Sequence, residues 1–340
     1  MKNSIYIPLI AIFAILGFAA CNQSPTAINT NSSNNHINQV TSTPAANPVI
    51  VWVTNETFQI NRNQSYSTDT YWVMNADGSN ATRIYNPGSV NKTPFSLGAP
   101  HWSPDGNNIC FVTNGSIYKM SVSVVNGIPT AGTPTKLLDT ATYHIAPSDN
   151  YWSFGTTNEI IFSGKLTTDK STKIYAISGN GGTPTSIYTT SGTNIKWIDV
   201  SPDGSKILFE EYINGFAYLK VINRSDGSQV YSSIQVTGSG GKLNGCFASD
   251  WSRTSGSNNV CIYAYPVGST TPSIYQYDVS DTNSLTLIKS NARACSWSPD
   301  DSKIVYTNLN TPNTINTVTI PGGTVTNLLS NSAGGTHWKK

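Results

Sequence analysis

Charge is scarce in this chain: Lys and Arg together number 20 and Asp and Glu 18, so that 11% of residues are charged and the net charge is +2, against roughly a quarter charged in average globular proteins. A basic stripe is missing, which excludes nucleic acid as a partner. Histidine is nearly as scarce, with His36, His101, His144 and His337 making up the full set. No Gly-x-Ser-x-Gly elbow, His-Glu-x-x-His helix or phosphate loop occurs, which leaves hydrolase and nucleotide readings without a motif. The apolar run from Ile5 to Phe18 falls short of the ~18 residues a spanning helix requires, and polar sequence follows at once.

What stands at the N-terminus is a signal peptide: Lys2, the run Ile5 to Phe18, then Ala19 and Ala20 before Cys21. This segment resembles the lipobox of bacterial lipoproteins, with Phe18 where that motif usually carries Leu. The resemblance implies cleavage before Cys21 and acylation of its sulfur, hence a palmitate-type anchor without a spanning helix. Residues 1–20 are thus expected to be signal, and 21–48, made of Asn, Ser, Thr, Pro and Ala, an acylated cysteine and a disordered stalk. Four cysteines remain. Cys110 and Cys261 sit inside apolar strand patterns and read as buried small hydrophobes, while a Cys246–Cys295 bridge stays open.

Residues 49–340 carry a repeat. Trp102-Ser103-Pro104-Asp105-Gly106 recurs as Val200-Ser201-Pro202-Asp203-Gly204 and Trp297-Ser298-Pro299-Asp300-Asp301, with degenerate copies at Trp152-Ser153 and Trp251-Ser252, at intervals of 46 to 51 residues. Each marker is followed by short β-branched and aromatic runs such as Ile109 to Thr113, Ile117-Tyr118 and Lys136 to Leu138, punctuated by Gly, Pro, Asn and Asp. Four short strands per period of that length describe a propeller blade. Ser-Pro-Asp-Gly is a hairpin turn: Pro presets φ, Asp bonds the backbone ahead, and Gly accepts positive φ.

On these Trp-Ser-Pro-Asp-Gly turns the chain resembles the TolB-like propeller family, over most of residues 49–340. The resemblance implies an all-β, six-bladed propeller, here expected without the α/β domain that precedes it in TolB. The ends agree with that fold. Val49 to Val53 match the second strand of the repeat, and His337-Trp338 echo His101-Trp102, so a C-terminal strand is expected to complete the first blade and close the ring.

The residue before each marker falls on the innermost strand: His101, Tyr151, Asp199, Asp250, Ser296 and His337. All six are polar, which predicts a channel ring able to bind a ligand or a cation; the alternative is a solvated channel whose groups bond water. Two histidines and two carboxylates on separate strands are an incomplete coordination set, so no metal or cofactor is assigned. Residues two positions further back are mostly small, with Trp197 an exception. Surplus aromatics, Tyr66, Tyr71, Trp72 and Tyr85 in the first blade and Tyr212, Phe216 and Tyr218 in the fourth, suit inter-blade packing or an exposed binding face. The segment Glu56 to Asp69 reads as a long loop at the rim.

The resulting expectation is a monomeric, lipid-anchored protein of the cell envelope, on the periplasmic side of the outer membrane or at the cell surface. It would hold a protein or peptide partner through a propeller face or the channel mouth. The alternative is a propeller enzyme, a lyase or hydrolase, acting on an envelope or extracellular glycan at a central-channel site.

Overall fold

A computed structural model describes residues 49–339, apart from 63, 87–98, 114, 140–142, 153–157, 167, 170, 237–242, 311–312, 322 and 331–333; residues 144–152 and 245–249 are described by backbone alone. The signal peptide, Cys21 and the stalk expected over 1–48 lie outside the described residues.

Alternating side chains of a β-strand point to opposite faces, and here both faces are apolar. In β1 (Ile50–Asn61), Val51 packs with Tyr71, Trp102 and Phe111, while its neighbours Ile50 and Trp52 pack with Val305 and Ile315. A sheet buried on both faces must stand between two others, as blades in a ring do. Blade 1 continues with β2 (Gln64–Met74) and β3 (Thr82–Tyr85). Blade 2 comprises β4 (His101–Trp102), β5 (Asn108–Thr113), β6 (Ser116–Val125), β7 (Ile128–Ala131) and β8 (Thr135–Leu138). Blade 3 runs β9 (Tyr143–Trp152), β10 (Glu159–Leu166), β11 (Lys173–Ser178) and β12 (Thr185–Thr189). Blade 4 runs β13 (Asn194–Val200), β14 (Lys206–Ile213), β15 (Phe216–Asn223) and β16 (Ile234–Gln235). Blade 5 runs β17 (Leu243–Trp251), β18 (Asn259–Pro266), β19 (Ser273–Asp278) and β20 (Thr286–Ser290). Blade 6 runs β21 (Ala292–Trp297), β22 (Lys303–Asn308), β23 (Thr314–Thr319) and β24 (Val325–Ser330). No helix occurs among the described residues.

The last strand, β25 (Thr336–Trp338), pairs antiparallel with β1 through Ile50–Trp338, Val51–His337 and Trp52–Thr336, giving the first blade the order β25-β1-β2-β3. The expected closure is therefore present. The core is six apolar seams, one between each pair of neighbouring blades, and the marker residues Trp102, Val200, Trp251, Trp297 and Trp338 are buried in them.

The Ser-Pro-Asp turns take one form. Ser201 Oγ donates to Asp203 Oδ1 at 2.6 Å, the Lys206 N–H donates to Ser201 Oγ at 2.9 Å, and the Gly204 N–H to the Ser201 carbonyl at 2.8 Å. In the third copy the Ser298 and Ser302 hydroxyls and the Ser302 N–H hold the Asp300 carboxyl down to about 2. Burial pushes Asp105 and Asp203 up, but hydroxyl and N–H donors outweigh it and both lie below the ordinary carboxylate range.

Two hairpins depart from the repeat. Glu56 to Asn61 and Gln64 to Asp69, expected as a loop, instead extend β1 and β2, with Glu56–Thr68, Thr57–Ser67 and Phe58–Tyr66 in register. Cross-strand bonds between Asn55 and Asp69 at 2.9 Å and Thr57 and Ser67 at 2.8 Å replace the apolar packing that lower strand residues enjoy. In blade 2, β6 outruns its partners and pairs with β7 through an Asn126-Gly127 turn, both residues at positive φ as a two-residue hairpin requires.

Candidate functional site

The residues before the blade markers occupy one ring. His101 pairs with Cys110, Tyr151 with Ile161, Asp199 with Leu208, Asp250 with Cys261, Ser296 with Val305, and His337 with Val51, always innermost strand against second strand. The side chain of Tyr151 lies outside the described residues. The other five are buried, from 0% exposed at Asp199 and Ser296 to 6% at His101.

A register shift precedes this position on β13, β17 and β21, between Lys196 and Asp199, Phe247 and Ser249, and Arg293 and Ser296. Trp197 and Ala294 sit in these bulges at φ 56° and 54°. An extra residue on one strand sharpens the local twist and re-aims the side chain that follows. That side chain reaches the next blade. Asp199 Oδ2 accepts the N–H of Trp251, Asp250 Oδ2 accepts the N–H of Trp297 at 2.7 Å, and Ser296 Oγ accepts the N–H of Trp338 at 3.0 Å. Three of the six ring positions thus join blade 4 to 5, 5 to 6 and 6 to 1. Crowding near the axis is visible at Gly335, where a Cβ would stand 3.2 Å from the Cβ of Ala99 on the adjacent blade.

Asp250 is the most heavily used member. Its two oxygens accept Arg253 Nη1 at 2.9 Å and Nη2 at 2.8 Å, and Ser296 Oγ donates to Oδ2 at 2.8 Å. Arg253 and Asp250 form a two-pronged ion pair with side chains 5% and 1% exposed, a geometry in which a planar guanidinium matches a carboxylate. The same Arg253 donates to the Trp251 and Trp297 carbonyls at 2.9 and 3.2 Å. Sequence reasoning passed over Arg253, although the signal was present: it stands where Pro104, Pro202 and Pro299 stand in the good copies of the turn.

The two histidines meet as their neighbouring blades suggest. The His101 and His337 rings lie 4.7 Å apart, edge to face, and His337 Nε2 is 3.9 Å from Asp250 Oδ1. That separation exceeds hydrogen-bond length, so Asp250 does not orient His337 as the partner of a catalytic base would. A cation approaching Asp250 has a guanidinium to displace. Among the described residues no three His, Cys, Asp or Glu side chains are grouped to hold a metal ion.

No protein-family model matches the chain, and no curated protein matches it. Solved structures do. TolB from Acinetobacter baumannii aligns with a TM-score of 0.61 at 16% identity, over 86% of this chain and 66% of that one. A putative TolB from Agrobacterium tumefaciens gives 0.53 at 17% identity, over 85% and 91%. The fold is that of the TolB-like six-bladed propellers. An oligogalacturonate lyase in complex with manganese also aligns, with a TM-score of 0.50 at 13% identity over 84% of this chain and 86% of the lyase. At such identities the likeness concerns the fold alone, and one TolB-like frame hosts unrelated sites.

Half-buried and exposed aromatic and charged side chains gather elsewhere. On the extended β1–β2 hairpin Phe58 stacks on Tyr66 with ring centres 5.2 Å apart, and the Arg83 guanidinium lies 5.2 Å from the Phe58 ring and 5.8 Å from that of Trp72. Glu56 holds Arg83 at 3.1 Å. Ile60 near the tip is exposed, as are Phe216 and Val267 beside the turns joining second and third strands in blades 4 and 5. Tyr71, by contrast, is fully buried against Phe111 across the first seam. The aromatic surplus thus divides between packing and surface.

Proposed function

We propose that the protein is an envelope lipoprotein, tethered through acylated Cys21, whose propeller holds a protein or peptide partner on the face carrying the β1–β2 hairpin. One observation carries the reading: the polar groups of Asp199, Asp250 and Ser296 are committed to joining blades, while Phe58 and Tyr66 of the extended hairpin, with Arg83 of the adjoining β3, form an aromatic and cationic platform. Rigid aromatics with an arginine are the residues that anchor protein interfaces. The turns beside Phe216 and Val267 connect the same pair of strands as the β1–β2 turn does, so all three lie at one end of their blades. The likeness to TolB supports a scaffold of this architecture without naming its partner.

Two measurements test the reading. Labelled palmitate should enter the wild-type chain and not Cys21→Ser; equal labelling of both would remove the anchor. A photo-crosslinking residue at Gln59 or Ser65 should yield a discrete protein adduct in intact cells, lost in Phe58→Ala/Tyr66→Ala. Adducts confined to a probe at Asn126, on the opposite end of the blades, would reject this face. Cleavage of a glycan by the purified chain, abolished in His101→Ala, would replace the scaffold by the lyase or hydrolase.

A further inference from the structure

The seam between blades 5 and 6 brings two thiols together. Cys261 lies on β18, paired in register with Asp250 of β17 and Gln276 of β19, and Cys295 lies on β21 two residues before Trp297. They come from different blades and are 34 positions apart in the chain. Both are buried in one apolar cluster with Ile274, Ala292, Trp297 and Ile304. The Cys295 side chain is close enough to raise the Cys261 thiol by its own polar and charge effects, second to burial, and both are free cysteines here. Cys110 belongs to the seam between blades 2 and 3 and has no part in this pair. The side chain of Cys246, the partner considered for Cys295 on sequence grounds, lies outside the described residues.

We infer that Cys261 and Cys295 are a disulfide site that locks blade 5 to blade 6. The reaction forms one Sγ–Sγ bond. The two thiols lose two protons and two electrons, and an oxidised dithiol reagent or oxidoreductase accepts the electrons as its own disulfide opens to two thiols. Burial in one cluster, on facing strands of neighbouring blades, supplies the proximity such a bond needs. Burial pushes the Cys261 thiol well above its ordinary range, and a protonated buried thiol is a poor nucleophile. Exchange therefore belongs to folding, or to openings of the seam, rather than to the closed ring. The bond would run beside the Asp250–Trp297 link and reinforce the same seam covalently.

The test uses the full chain produced in a reducing compartment, then incubated in a buffer of oxidised and reduced glutathione, denatured in an alkylating reagent and digested without reductant. A peptide pair joining Cys261 to Cys295, lighter by two hydrogens than its parts, is the expected product, and it should persist in Cys246→Ser. Melting of the wild type should rise by about 5 °C on oxidation and fall back with reductant, with no such response in Cys295→Ala. Full alkylation of both cysteines after oxidation, or a Cys246–Cys295 pair in their place, would overturn the inference. The wild-type comparison with and without reductant decides the matter even if a variant fails to fold. It does not depend on the lipid anchor or on the partner-binding face.

Discussion

The carboxylate of Asp250, on the innermost strand of blade 5, accepts the backbone N–H of Trp297 in blade 6 at 2.7 Å while Arg253 grips it from behind. Trp297 is the buried marker of its own blade, so one carboxylate fixes the register of one blade against the next. The same relation joins Asp199 to Trp251 and Ser296 to Trp338. Apolar seams are non-directional; these bonds supply the direction, and a bulge on the inner strand aims them.

Asp250→Ala leaves the Arg253 guanidinium buried without its counter-charge, and breaking a buried pair from one side typically costs about 3–5 kcal/mol. The urea midpoint should fall accordingly. Asp250→Ala/Arg253→Ala should be less destabilised than the two single losses summed, because the stranded charge is gone. Strict additivity in that cycle would show that the pair is not coupled.

Asp301 occupies the turn position held by Gly106 and Gly204, at φ 56°, a region costly for most residues and visited most readily by Gly, Asn and Asp. Its carboxylate explains the exchange: Oδ1 accepts the Arg253 N–H at 2.6 Å, and Oδ2 accepts the Thr254 N–H at 2.8 Å and its hydroxyl at 2.7 Å. Asp301→Gly relieves the backbone and loses three bonds to blade 5. A net loss of about 1–2 kcal/mol is expected from denaturant unfolding, and a more stable variant would show that the turn alone governs this site.

The blade count, the closing strand and the ring of pre-marker residues were legible because they rest on period and register, which local sequence encodes. The links that three of its members, Asp199, Asp250 and Ser296, make to the next blade were not. A polar residue on an inner strand reads equally as channel lining or as inter-blade link, and the difference lies in bulges at Trp197 and Ala294 that no pattern announces. Arg253 was hidden by its place in a degenerate turn, where Pro was the expected residue. Glu56 to Asp69 read as loop because polar residues fill most of its positions, Thr68 buried among them, so the apolar alternation that marks a strand is missing while cross-strand polar pairs hold the register.

Acid should loosen the turns. Asp300 titrates at about 2 in the folded chain against an ordinary 3.8, and Asp77 and Asp226 are lowered by hydroxyl and N–H donors of Ser79 and Ser228. A lowered carboxylate stabilises fully above its unfolded value and loses that contribution as pH falls through the folded one. Melting temperature should therefore be steady down to about pH 4 and decline toward pH 2. Ser298→Ala should melt below wild type at pH 5, with the gap narrowing by pH 2. A gap that stays constant across this window would show that Asp300 is not the group responsible.

Removing residues 331–340 deletes the strand that completes blade 1. Trp338 leaves its pocket between Ile50, Met74 and Val305, the Thr336 hydroxyl no longer donates to the Ala294 carbonyl at 2.7 Å, and the Lys339 N–H no longer meets the Val49 carbonyl at 2.6 Å. β1 is left with an unpaired inner edge, which invites intermolecular pairing. Truncating a buried Trp alone costs about 3–5 kcal/mol, so Trp338→Ala should lower the melting temperature by several degrees, and the deletion by more, with aggregation on heating that the point variant does not show. Adding the excised segment back as a peptide should recover part of the loss, since β1 retains its half of the register. An unchanged melting temperature after deletion would mean that the ring is closed by the other five seams and that β25 only covers an edge.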